Sequence, residues 1–140
     1  MNRPFVFAIL TSLIWGFAPM LEKIGLTGRI DPYLGVVVRS LPVAVISIIG
    51  LALMGRLGEL TTVNARSVIF IAAGGLVAAL LGQFIFYSAL KEGEASVVVP
   101  IAATYPLVAF VVSAVLLGEP VTMQKIIGIA LVIGGVAFLR

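Results

Sequence analysis

Five long runs of apolar residues, separated by short breaks that carry charges and turn formers, dominate this sequence. A helix that crosses a lipid bilayer needs about 20 predominantly apolar residues, with a range of about 17 to 25. We therefore predict membrane-spanning helices over residues 4–26, 32–54, 67–90, 96–117 and 121–139. The expected fold class is all-α, a polytopic bundle of five transmembrane helices that forms a single domain over residues 1–140.

Composition supports a lipid rather than an aqueous surrounding. Charged residues are 11% of the 140 residues and mean hydropathy is +1.25, whereas about a quarter of the residues in soluble domains are charged. Strands are the weaker alternative, because an open sheet edge in lipid leaves backbone groups unpaired and the runs lack the alternation of a barrel. Arg3 before an apolar stretch is typical of a secretory signal, but Pro19 follows the small residue Ala18, so we predict that this helix is retained.

Several classes of function are excluded by what the sequence lacks. There is no cysteine and no histidine, so disulfides, thiolate metal sites and the commonest proton shuttle are absent. The acidic residues stand at helix ends, where no nucleophile with its base can be assembled. We predict no catalytic residue, no metal and no cofactor, and a protein that is not an enzyme. The net charge of +3 comes from cations that stand singly, so no nucleic-acid partner is expected.

The loop cations give no preferred orientation. An excess of Lys and Arg normally marks the cytoplasmic side. With five spans, the N-terminal side holds Arg3, Arg56, Arg66 and Lys125, and the other side holds Lys23, Arg29, Arg39, Lys91 and Arg140. We predict that the chain inserts both ways and forms an antiparallel homodimer, which would create an inverted repeat by association. A parallel dimer, or an orientation fixed by a partner, is the alternative.

Polar and aromatic residues inside the spans are the candidates for function, because they are costly in lipid and face protein or a wet cavity. The candidate substrate-path residues are Trp15, Glu22, Lys23, Arg39, Gln83, Tyr87 and Tyr105, and the candidate hinges are Pro19 and Pro106. Five of them crowd one half of the bilayer, where we expect Glu22 to pair with Arg39 and Gln83 and Tyr87 to share a cavity. The alternatives are a solvated helix end at Glu22 and Lys23, a snorkelling anchor at Arg39, and structural packing or hydrogen bonding elsewhere.

Helix geometry gives two further expectations. Trp15 and Glu22 lie on one narrow stripe of the first helix, and Phe17 and Ile24 lie on the opposite side, which we expect to meet lipid. Pro106 falls near the middle of the fourth span and removes the hydrogen bond to the Ala102 carbonyl, so a kink is expected there. Such a kink serves either as a gate beside Tyr105 or as a purely structural bend.

The segment from Tyr87 to Leu139 resembles the EamA domain of the drug/metabolite transporter superfamily. The features that carry the resemblance are Ala89–Leu90, Pro106, Gly118–Glu119 and the glycines Gly128, Gly134 and Gly135, with Trp15–Gly16, Lys23 and Arg39 in the first half. Similar proteins join two such units in an inverted repeat and export amino acids, drugs or other metabolites. This sequence contains one unit, as in the small multidrug resistance relatives. Those relatives carry a carboxylate in the middle of the first helix, whereas Glu22 lies toward its end.

The sequence thus predicts a small-molecule metabolite or drug transporter of the cell membrane, inner or plasma, and, from the resemblance, an exporter. It would work by alternating access as an antiparallel homodimer, or as a heterodimer with a related five-helix partner, around a substrate near the midplane. Two alternatives stay open: a non-transporting accessory subunit, and a subunit of a lipid-carrier flippase that uses Arg39 and Lys23 for phosphate. Substrate, direction and coupling ion do not follow from the sequence.

Overall fold

Helices are the only regular secondary structure in the part of the chain that the computed structural model describes, residues 3–138. They are α1 (Arg3–Leu26), α2 (Pro32–Leu53), a short 3₁₀ helix (Leu57–Thr61), α3 (Ala65–Gly75), a π-helical segment (Leu76–Gly82), α4 (Gln83–Glu92), α5 (Ala95–Ala102), α6 (Tyr105–Leu116) and α7 (Met123–Ala137). The prediction of an all-α fold is confirmed.

Four helical segments are long and apolar enough to cross a membrane: α1, α2, the continuous stretch Ala65–Glu92 and the stretch Ala95–Leu116. The fifth, α7, is a shorter apolar helix of 15 residues. These five match the five predicted spans to within a few residues at the ends that the structure describes. The predicted end of the last span at Leu139, and the cation Arg140, lie outside the described residues.

Side-chain caps fix where several helices begin. The Asp31 carboxylate accepts hydrogen bonds from the backbone N–H groups of Tyr33 and Leu34, at 2.9 and 3.1 Å. Pro32 occupies the first turn of the same helix, where a missing N–H costs nothing. Asn64 and Thr122 cap α3 and α7 through their side-chain oxygens. Short polar residues in the breaks therefore set the N-terminal ends of three of the helices.

The chain divides into two compact units, Met1–Glu92 and Gly93–Arg140. In the first unit α4 packs against both α1 and α2, and Tyr33 meets Phe84 edge-on with ring centroids 6.2 Å apart. The prediction of a single domain over residues 1–140 stays a prediction.

The buried side chains of the first unit gather at one end of its helices. Among the described residues, the buried apolar ones are Leu26, Val36, Tyr87 and Leu90. They come from the last turns of α1 and α4 and the first turns of α2, the ends that antiparallel neighbours bring together. Most other large apolar side chains are exposed, as expected for a chain whose surroundings are lipid.

In the second unit the fourth predicted span is interrupted. α5 ends at Ala102 and α6 begins at Tyr105, with Pro106 in the first turn of α6. Proline lacks the N–H that would bond to the carbonyl four residues earlier, which is that of Ala102. The expected irregularity at Pro106 is therefore present, as a break over Ala103 and Thr104. By contrast, α1 continues through Pro19 without interruption.

Candidate functional site

Glu22 is the centre of a polar cluster built from three helices of the first unit. Its Oε1 lies 3.3 Å from Nε of Arg39 on α2 and accepts a hydrogen bond of 3.3 Å from Nε2 of Gln83 on α4. The Glu22 side chain is only 14% exposed, and that of Arg39 is 42% exposed. The predicted pairing of Glu22 with Arg39 across the first two helices is confirmed.

The π-helical segment Leu76–Gly82 places Gln83 in this cluster. The N–H of Gln83 bonds to the carbonyl of Ala78, five residues earlier, instead of four. A π turn rotates the side chains that follow it about the helix axis, relative to their directions in a regular α-helix. Such segments are frequent at functional sites. Gln83 begins α4 directly after the π segment. Nothing in the apolar run around it signals this change of register, so the sequence alone did not predict it.

A cavity of about 160 Å³ opens beside the ion pair. Its lining comprises Glu22, Gly25, Leu26, Ile30, Gly35, Val38, Arg39 and Tyr87. Tyr87 is buried and lines the cavity as predicted, whereas Gln83 contacts Glu22 without being part of the lining. We call this space the ion-pair cavity.

Gly35 allows the helices to come together at this cavity. A Cβ atom built on it would lie 3.0 Å from Cδ2 of Leu26 and 3.0 Å from Cδ2 of Tyr87. A side chain at this position would require Leu26 and Tyr87 to move by a few tenths of an ångström. Gly35 lies one turn before Arg39 on the same face of α2, and this spacing is the sequence signal that could have identified it.

The depth of the cluster follows from the helix rise of 1.5 Å per residue. Glu22 precedes the end of α1 by four residues, or about 6 Å, and Arg39 follows the start of α2 by seven residues, or about 10 Å. The hydrocarbon core is about 30 Å thick, so the pair lies in one half of the membrane. A lone arginine at the centre of a span makes the free energy of membrane insertion less favourable by about 2.5–3.5 kcal/mol. The Glu22 carboxylate offsets part of that cost.

The remaining candidate residues lie elsewhere. Lys23, next to Glu22 on α1, points to a different cavity, which it lines together with Lys91. Trp15, two turns before Glu22, is 63% exposed, and the opposite-face residue Phe17 is 68% exposed. Tyr105 is exposed at the start of α6, in the second unit. The substrate-path roles of all these residues, and the hinge roles of Pro19 and Pro106, stay predictions.

Comparison with known proteins identifies the family. The pattern of the EamA-like transporter family matches residues 2–140 of the chain. The chain belongs to the EamA-like transporter family. This confirms the resemblance found in the sequence, places the chain in the drug/metabolite transporter superfamily, and identifies it as a multi-pass membrane protein of a transporter family.

A curated relative is an uncharacterized protein of Methanocaldococcus jannaschii, which is 36% identical over 63 residues. The aligned stretch is 45% of this chain and 46% of the relative. The alignment thus covers about half the length of the relative. Since the two covered shares are so similar, the two chains are nearly equal in length. No solved structure matches the chain.

Proposed function

We propose that this EamA-like protein is a small-molecule metabolite or drug transporter, an exporter of the inner or plasma membrane, and not an enzyme. It works by alternating access as an antiparallel homodimer with dual topology. The observation that carries the proposal is the ion-pair cavity, where Glu22 and Arg39 meet at 3.3 Å within two predicted spans. Ionisable residues at membrane depth mark substrate and ion pathways in transporters.

The size of the cavity supports a site shared by two copies. Small-molecule sites typically enclose about 300–1,000 Å³, and the ion-pair cavity of one copy holds about 160 Å³. A second copy facing it would enlarge and close the space. The nearly balanced cations on the two sides of the membrane allow that copy to be inverted, and the inverted pair would have the internal symmetry that transporters use for alternating access. A related five-helix chain in place of the second copy would serve the same purpose.

Transport by the purified protein is the direct test. The full chain, reconstituted into vesicles without other proteins, should move members of a panel of amino acids, cationic dyes and organic anions. Arg39→Glu would bring two carboxylates together in the ion-pair cavity and should abolish transport while the protein still inserts and folds. Arg29→Glu, a charge reversal in the exposed loop between α1 and α2, is the matched control and should leave transport within about twofold, since surface charges are screened.

The outcome separates the alternatives. An accessory subunit alone would move nothing on the panel, and a lipid-carrier flippase subunit would translocate only a labelled lipid phosphate. Equal transport by Arg39→Glu and wild type would mean that Arg39 is only a snorkelling anchor and that the ion-pair cavity is not the pathway.

A further inference from the structure

A second cavity in the first unit lies near the ends of the helices and is lined by Lys23, Leu26, Thr27, Gly28 and Lys91. We call it the lysine cavity. Its volume is about 240 Å³, several times the ~30 Å³ that a water molecule occupies in the liquid. It therefore has room for a group of several atoms. Two of its five lining residues are lysines and none is acidic.

Both lysines are held in place by backbone carbonyl groups. Lys23, in the last turn of α1, donates a hydrogen bond from Nζ to the Leu90 carbonyl. Lys91, in the last turn of α4, donates from Nζ to the Ile30 carbonyl at 2.6 Å. An ammonium group carries three N–H donors, so the carbonyl contact of Lys91 uses one of three. These contacts fix two positive charges at one edge of the membrane.

The charge balance of the lysine cavity favours an anion. The C-terminal end of a helix acts as about −0.5 of an elementary charge, so the ends of α1 and α4 together supply about −1. The two lysines supply +2, so the lining side chains and the two helix ends together are net positive. The ion-pair cavity differs, because there Arg39 is compensated by Glu22 at 3.3 Å. Leu26 lines both cavities and stands between them.

The loop between α1 and α2 forms part of the wall of the lysine cavity. Gly28 has a φ of +121°, a backbone conformation that residues other than glycine rarely adopt. This turn carries the chain from the end of α1 toward Asp31 and leaves Thr27 and Gly28 in the wall of the cavity.

The lysine cavity is expected to lie at the depth of lipid headgroups, because lysines near the end of a membrane-spanning helix extend toward the membrane surface.

We infer that the lysine cavity binds a phosphate group, at a site separate from the ion-pair cavity and independent of the proposed transport. Lysine ammonium groups are common phosphate ligands because each acts as a compact point charge with several donors. The phosphate belongs either to an anionic lipid headgroup or to a free phosphate compound. The same two lysines would hold either one.

Binding by the purified full chain in neutral detergent tests the inference. Two pairs of probes are compared: short-chain phosphatidylglycerol with short-chain phosphatidylcholine, and inorganic phosphate with chloride at equal ionic strength. Binding is measured by native mass spectrometry and by the shift in melting temperature. Phosphatidylglycerol or phosphate should bind in preference to phosphatidylcholine or chloride. Lys91→Gln and Lys23→Gln should each weaken that binding by about fivefold, as removal of one interfacial lysine predicts, and Lys91→Arg should retain most of it.

Lys125→Gln is the matched control. Lys125 stands in the first turn of α7, donates to the Pro120 carbonyl at 3.0 Å and lies 3.8 Å from the Glu119 carboxylate, but it lines neither cavity. Binding of phosphatidylglycerol alone would identify a lipid site, and binding of inorganic phosphate a site for a soluble phosphate compound. An equal loss in Lys125→Gln and Lys91→Gln, or no preference for the anionic probes in the wild type, would overturn the inference. A Lys91→Gln protein that melts normally without ligand shows that its fold is intact.

Discussion

At the scale of single residues, Glu22 connects three helices through one carboxylate oxygen. That oxygen contacts Arg39 and Gln83, both at 3.3 Å. Removing one partner of a poorly solvated ion pair lowers stability more than removing both, because the remaining charge is left without an opposite charge beside it. The partial exposure of Arg39 lowers this effect below that of a fully buried pair.

We therefore predict non-additive effects on stability. Glu22→Gln and Arg39→Gln should each destabilise the protein by about 1–3 kcal/mol, and the double variant should lose less than the sum, with a coupling of about 1–2 kcal/mol. The free energy of unfolding of the wild type, the two single variants and the double variant is measured in mixed micelles by circular dichroism. These four values make a double-mutant cycle. The exposed pair Arg56 and Glu59 provides the comparison and should show a smaller coupling. Additive losses at Glu22 and Arg39 would contradict the pairing.

A second residue-scale prediction concerns pH. In the loop after α2, Arg56 donates two hydrogen bonds to the Glu59 carboxylate, at 2.8 and 2.7 Å. These bonds lower the pKa of Glu59 and raise that of Arg56. Because the folded-state pKa of Glu59 is depressed, the ion pair is fully formed above the ordinary pKa of a glutamate and is lost as pH falls through the lowered value.

Carboxyl carbon shifts of Glu59 in micelles measure this titration. In Arg56→Gln the Glu59 carboxyl should titrate at higher pH than in the wild type, whereas Arg66→Gln should leave it unchanged. An unchanged Glu59 titration in Arg56→Gln would show that the bidentate contact does not persist in solution.

At the scale of helices, close approach depends on glycines at particular positions. Gly35 and Gly50 both lie within α2, but only Gly35 has neighbours that a side chain would meet, at 3.0 Å. Gly35→Ala should destabilise the protein by about 1–2 kcal/mol, because Leu26 and Tyr87 must shift. Gly50→Ala should be neutral or stabilising by up to about 1 kcal/mol, as alanine favours helix. Thermal unfolding of the two variants checks the contrast, and equal melting temperatures would contradict the packing at Gly35.

The π-helical segment provides an independent prediction. A Cβ atom at Gly82 would lie 3.2 Å from the Val77 carbonyl oxygen, whereas one at Gly74 meets nothing within 4 Å. Gly82→Ala should therefore disturb the π turn and weaken the contact of Gln83 with Glu22, at a cost of about 1 kcal/mol relative to Gly74→Ala. Side-chain amide shifts of Gln83 report the contact directly. If Gly82→Ala left these shifts and the stability unchanged, the π turn would not control the position of Gln83.

The elements differ in how far they could be predicted from sequence. Apolar runs and turn formers predict the five spans and their ends, because span length and capping are local properties. Alternating helix direction also predicts that Glu22 and Arg39 meet. The π register before Gln83 and the presence of a second cavity beside Lys23 depend on packing between helices. No local pattern in the apolar stretch records that packing, so these features became visible only in the structure.

At the scale of the whole molecule, orientation and assembly decide whether the proposed mechanism is possible. The sequence contains one five-helix unit with nearly balanced cations. Added lysines near span ends are expected to tip such a balance toward one orientation. The double variant Thr61→Lys/Thr62→Lys raises the N-terminal side from four cations to six against five, and Ser96→Lys raises the other side from five to six against four. The two variants should therefore lock opposite orientations.

Transport by these locked variants tests the antiparallel dimer. Each variant alone would supply copies that point one way, so each should lose transport, and co-expression should restore it because the two orientations can then pair. A reporter at the C-terminus should be active on both sides of the membrane for the wild type and on one side for each variant. Full transport by either locked variant alone would show that copies pointing the same way suffice. Since Thr61, Thr62 and Ser96 line neither described cavity of the first unit, the loss in each variant alone would come from orientation rather than from damage to those cavities.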